Sequence, residues 1–121
     1  MPKEKAPRDL LPLTPPVFHI LLALVDGELH GYGIMLEVAR QTDDALKLGP
    51  GTLYGCLKRM LALGLVEESD ERPDPSLDDE RRRYYRATEF GQKVVRAEAQ
   101  RLAAAVATAR SKRLLSGAKS S

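Results

Sequence analysis

Between Thr14 and Asp26 the chain runs TPPVFHILLALVD, and this segment constrains the fold more than any other. Thr14 offers a hydroxyl acceptor to free backbone N–H groups, and Pro15 stands where no donor is needed, so a helix starts there. Every residue from Val17 to Val25 is apolar except His19. A helix apolar almost all round has to be covered on several sides. In a chain of 121 residues that means one core, with the other elements packed on this helix. Asp26-Gly27 ends the run.

Three more segments carry helical periodicity. His30-Gly31-Tyr32-Gly33 opens a second helix over about Tyr32 to Gln41, with Ile34, Met35 and Val38 as its apolar stripe and Glu37, Arg40 and Gln41 toward water. Tyr32 and Gly33 are read as shaping that helix. A third spans about Pro50 to Leu63, its apolar Leu53, Leu57, Met60 and Leu61 falling at i, i+4, i+7, i+8. Gly64 is its expected left-handed stop. The opposite face carries Thr52, Tyr54, Gly55, Lys58 and Arg59, with no acid among them. Leu65–Ser69 and Arg82–Ala87 read as strands, joined by a loop Asp70–Glu80 that contains Pro73 and Pro75. Thr88 caps a last helix running to about Leu115, with Glu89 in its first turn and Arg110, Lys112 and Arg113 near its end, as the helix dipole favours.

Three helices, a hairpin and a long helix exclude an α/β nucleotide fold. The order predicts a mainly α chain with a small β-hairpin: a winged helix-turn-helix followed by a long C-terminal dimerisation helix. In that fold the third helix enters the DNA major groove and the hairpin lies along the backbone. The expected division is residues 1–13 as a flexible N-terminal arm whose Leu10, Leu11 and Leu13 dock, 14–87 as the DNA-binding domain, 88–115 as the dimerisation helix and 116–121 as a disordered tail.

The overall charge of +2 conceals a strong asymmetry. Residues 67–80 hold eight acids and one base, so the remainder of the chain carries eighteen cations against nine acids. A basic field with one acidic patch fits nucleic acid as a partner. No apolar run reaches the roughly 20 residues of a membrane span, and the N-terminus has no long apolar segment of the signal-peptide kind. The lone Cys56 makes neither an internal disulfide nor a cysteine zinc site. A soluble cytoplasmic protein without membrane contact is the expectation.

No nucleophile elbow, phosphate loop or metal-ligand spacing occurs. His19 lies in the buried helix and His30 in a turn; paired carboxylates occur only in the acidic loop, where nothing apolar would raise a pKa. No enzyme, cofactor or metal is expected. The third helix is the informative element. Its N-terminus offers backbone donors to phosphate, Thr52 and Tyr54 can hydrogen-bond to phosphate or base edges, and Gly55 permits close approach. An ordinary solvated amphipathic helix would look the same locally.

Three blocks in order, HGYGIMLEVAR, GPGTLYGCLKRMLALGLVEE and RRRYYRATEFG, resemble the PadR family of bacterial transcriptional regulators over about Leu13 to Gly91. The single C-terminal helix resembles the family's shorter members. The resemblance implies a homodimeric winged helix that represses transcription and, in many members, leaves DNA in response to a small molecule or another signal. Two departures stand out. The wing tip DERPDPSLDDE is acidic, although Arg81, Arg82, Arg83 and Arg86 at its base are cationic, and the chain has no Trp on which to stack an effector.

The last helix carries a broken apolar stripe, Phe90, Val94, Ala97, Leu102, Val106, Ala109 and Leu114. A second copy is the expected cover, with Phe90, Val94, Leu102, Val106 and Ala109 as the dimerisation residues. The expected partner is double-stranded DNA with an inverted-repeat operator, contacted by Thr52, Tyr54, Lys58 and Arg59 of the third helix and by Arg82 and Arg83 of the wing. The alternative is a winged helix serving as a protein-interaction module, with the acidic loop as its docking patch.

Overall fold

The computed structural model describes residues 5–73 and 81–115; at 70–73 and 81–82 it is the backbone path that is described. Helix α1 (Pro15–Leu24) begins as its sequence requires, with the Thr14 hydroxyl accepting from Val17 N. Ile20, Leu21 and Leu24 are buried essentially completely. Helices α2 (Gly31–Gln41), α3 (Pro50–Ala62) and α4 (Glu89–Ser111) all contact α1, as does a strand of the small sheet. Ile34 and Val38 of α2, Leu53, Leu57 and Met60 of α3, and Val94 of α4 close the core.

Among the described residues the sheet has three strands, one more than the sequence predicts. A two-residue strand β1 (Leu29–His30) pairs with Tyr85 and Tyr84 of β3 (Arg81–Ala87), and β3 pairs on its other side with β2 (Val66–Pro73), all antiparallel. His30 is therefore not simply a turn residue. It sits in β1 and caps α2, its Nδ1 accepting from Gly33 N at 3.1 Å, and its ring meets Tyr84 edge-on. The β2–β3 ladder continues past the expected strand end at Ser69, through a register shift between Glu68 and Glu71, to Pro73 opposite Arg81. Proline is tolerated there because β2 is an edge strand. The acidic tip 74–80 and the tail 116–121 lie outside the described residues.

Helix α4 stops at Ser111, short of Leu115. Arg113 turns left-handed at φ 62°, and Leu114 N donates back to Ala109 O, a Schellman-type ending on a residue other than glycine. Pro7–Leu10 form a 3₁₀ turn, Leu10, Leu11 and Leu13 pack on the core, and Leu13 N donates to Glu98 Oε2 at 2.9 Å. Among the described residues, no helix is long and apolar enough to cross a membrane.

Among the described residues Glu98 is the buried charged side chain, 1% exposed, and it holds the arm to α4. Arg101 grips it with Nε at 2.6 Å and Nη2 at 3.0 Å. That hydrogen bond, aided by Leu13 N–H and opposed by burial, holds the Glu98 carboxyl below its ordinary value of 4.5. Such a group stabilises the folded chain above the ordinary value and ceases to do so as pH falls through the depressed one. Glu98→Ala leaves Leu13 N–H without its acceptor and should cost about 1–3 kcal/mol in urea unfolding at neutral pH. Stability should therefore fall on acidification below about pH 4.5, and Glu98→Gln should flatten that loss.

Candidate nucleic-acid interface

Helix α3 has two faces with different duties. Leu53, Cys56, Leu57 and Met60 are buried, Cys56 at 3% exposure, so the thiol is a packing group of the core. Thr52, Tyr54, Lys58 and Arg59 are exposed, together with Gly51 and Ala62. At about 100° per residue, Gly51, Gly55, Lys58 and Ala62 form the middle of the outer arc. Tyr54 lies on its α2 side and Thr52 and Arg59 on the other. The centre of the face near the helix N-terminus is thus bare backbone, flanked by a hydroxyl on each side. A Cβ built at Gly51 or Gly55 meets nothing within 4 Å, so the fold itself does not demand glycine at either position.

Tyr54 is half-exposed at 48%, yet its ring reaches across to α2. A Cβ on Gly31 would collide with the Tyr54 hydroxyl and lie 2.8 Å from Cζ. Gly31 is thus the seat on which Tyr54 rests. This pairing links two of the sequence blocks and escapes local pattern reading. The buried Tyr85 of β3 lies nearby, and burial pushes its hydroxyl above the ordinary value, with Glu68 and Tyr54 adding to the effect. Tyr32, in the first turn of α2, is 58% exposed.

Arg59 stands at the flank rather than the centre. Its Nη2 approaches Cys56 Sγ at 3.5 Å, and it borders a cavity of about 210 Å³ shared with Leu10, Leu13 and Leu63. Two of the wing cations, Arg83 and Arg86, are partnered. Arg86 Nε lies 2.7 Å from Glu67 Oε2 and Arg83 Nη1 lies 3.8 Å from Glu68 Oε2, both pairs well exposed to solvent. Such pairs contribute little stability, but they offset the charge the sequence assigns to the wing base. Arg82 is placed by its backbone opposite Arg72, and its side chain is outside the described residues.

The predicted dimerisation stripe divides. Val94 is fully buried within its own chain and cannot face a partner; Phe90 is half-buried and packs on the same core. Leu102, Val106 and Ala109 share one side of α4 beyond the core, Val106 43% exposed, followed by Leu114 at 72% and Leu115 at 41%. Among the described residues, no group of three or more His, Cys, Asp or Glu could hold a metal ion.

The profile of the transcriptional regulator PadR-like family matches residues 20–97. The chain belongs to that family. Its PadR-like segment is 40% identical over 73 residues to the transcriptional regulator Rv3488 of Mycobacterium tuberculosis, covering 60% of this chain and 62% of that one. The chain spans less than two thirds of the length of the curated relatives it matches, in one case 22%. A PadR family transcription regulator from Clostridium difficile superposes with a TM-score of 0.64 at 24% identity, over 81% of this chain and 97% of that one. Bacillus subtilis PadR, solved in complex with operator DNA, superposes with a TM-score of 0.59 at 20% identity, over 67% and 44% of the two chains. PadR-like proteins are transcription factors, and the fold is the family's winged helix.

Two glycine substitutions separate fold from interface. Gly55→Ala should stabilise the chain by roughly 0.5–1 kcal/mol in chemical unfolding, because nothing opposes the methyl and glycine weakens a helix interior. Gly31→Ala should be destabilising, and its cost should shrink by more than about 0.5 kcal/mol in a Tyr54→Ala background, read in a double-mutant cycle.

Proposed function

We propose that this chain is a homodimeric repressor that reads an inverted-repeat operator through α3 and is released by a small molecule or another signal. The observation that carries this reading is the outer arc of α3: acid-free, flanked by Thr52 and Tyr54, cationic at Lys58 and Arg59, and bare at Gly51 and Gly55 where a groove floor would approach. In a winged helix that arc is the surface presented to the major groove. The Bacillus subtilis PadR complex with operator DNA supports the same use of the fold. Because Arg83 and Arg86 pair with β2 acids, α3 rather than the wing carries most of the proposed contact. Arg82 is retained as a proposed phosphate contact.

Dimerisation is proposed on α4. Leu102 and Ala109, partly buried, and Val106, exposed, with exposed Leu114 and Leu115 beyond, form an apolar stripe past the point where α4 leaves its own core. A two-fold pair buries such a stripe against itself. Two recognition helices then meet half-sites centred one DNA turn apart, roughly 34–36 Å, or a multiple of it.

Sedimentation should give a dimer at micromolar concentration, and Val106→Glu should give a folded monomer. On operator DNA, Lys58→Ala should weaken binding to all sequences and lower the slope of log affinity against log salt by about 0.9. Thr52→Val should cost roughly 1–3 kcal/mol on the operator and little on a scrambled duplex. A folded wild-type dimer that binds its upstream DNA no better than a scrambled duplex would defeat the reading and favour a protein-interaction role.

A further inference from the structure

The end of α3 and the start of α4 are built as one joint. Gly64 leaves α3 at φ 77°, Gly64 N donates to Leu61 O at 3.1 Å, and Leu65 N donates to Met60 O at 2.9 Å. These are the two bonds of a Schellman ending. The carbonyls of Gly64 and Leu65 are taken up by the cap of α4. Thr88 Oγ1 lies 2.5 Å from Gly64 O and 3.2 Å from Leu65 O, and Thr88 N donates to Leu65 O at 3.0 Å. The same hydroxyl accepts from Gly91 N at 2.9 Å. Gly91 is buried, and a Cβ there would collide with Leu65 O and lie 2.9 Å from Leu65 C. The obstacle is backbone, which cannot swing aside as a side-chain tip can. At Gly51 and Gly55 of α3, by contrast, a Cβ meets nothing within 4 Å.

We propose that this joint fixes the angle between the recognition helix and the dimerisation helix, and that Gly91 is the residue that sets which half-site spacing the dimer accepts. The inference rests on the dimeric DNA-binding reading above. In a two-fold pair built on α4, the path from the symmetry axis to α3 runs along α4 and through this joint. Val94, Val95 and Glu98 are buried one to two turns further on, so α4 cannot move off as a unit. A methyl at position 91 lifts the first turn from Leu65 while the following turns stay seated, and α4 tilts. The seated turn at Val95 is the pivot, and from there to Val106 α4 runs about 16 Å at 1.5 Å per residue. A tilt of about 10° then moves the dimer seam by about 3 Å, close to one base-pair step of the duplex.

The test uses full-length chains on a panel of inverted repeats with identical half-sites and the spacer lengthened or shortened one base pair at a time. Wild type and Thr88→Ser, which keeps the hydroxyl, should share one optimum. Gly91→Ala should stay dimeric, lose at least tenfold affinity at that optimum and prefer another spacer. A folded, dimeric Gly91→Ala chain with the wild-type optimum and affinity within twofold overturns the inference. If Gly91→Ala does not fold, Thr88→Val, which removes the hydroxyl bridge, is judged on the same panel by the same two outcomes. A DNA-free arm separates the two readings. Spin labels on Lys58→Cys in both protomers, with native Cys56 buried, should show an inter-label distance that shifts by several ångströms in Gly91→Ala. A shift without any operator preference in wild type keeps the joint and defeats the DNA reading; an unchanged distance defeats the joint.

Discussion

The apolar run of α1 has no polar face to turn toward solvent, and its burial dictates where every neighbour sits. Helix α2 covers one side, α3 another, β3 and α4 the rest, and the arm closes what they leave. Full burial of an Ile or Leu side chain stabilises by about 1.5–3 kcal/mol, so Ile20, Leu21 and Leu24 alone outweigh any surface pair in the chain. With α1 enclosed, α3 has a fixed inward side and therefore a fixed outward one. The orientation of the candidate interface is a consequence of packing on the far side of the same helix.

Polar contacts refine what the core imposes. Few of them are strong, and the ones that matter join segments far apart in sequence. Glu98 connects α4 to Leu13, and Thr88 connects the cap of α4 to the end of α3. Both bonds end on backbone groups. Each removes an unsatisfied donor or acceptor at a segment end, where exposure would otherwise compete with order.

Much of this fold is legible from the chain because its signals are local. Thr14-Pro15, Gly64 and Thr88 mark helix ends by chemistry that acts over three or four residues, and the structure places those ends within a residue or so of expectation. The failures are non-local. Leu29–His30 become a strand only because β3 offers them partners. Val94 falls on the same apolar periodicity as Val106, and periodicity cannot say where the chain's own core stops and a free surface begins. The candidate residues of α3 lie on the outer side, as the pattern predicts, but the seat of Tyr54 on Gly31 requires knowing that α2 and α3 touch there. Proline-rich composition suggests a loose arm, yet Leu13 finds an acceptor 85 residues away.

The division of labour on α3 has a bearing on how proteins of this shape diversify. The residues that hold the helix in place, Leu53, Cys56, Leu57 and Met60, are not the ones that face outward. Substitutions at positions 51, 55, 58 and 62 can therefore accumulate with little penalty in folding, and some, such as replacement of the two glycines, would even gain robustness. Drift on that arc samples new surfaces on an unchanged scaffold. Duplicated copies can differ in outer surface while remaining interchangeable in shape, and a copy whose arc had changed would persist as a well-folded protein.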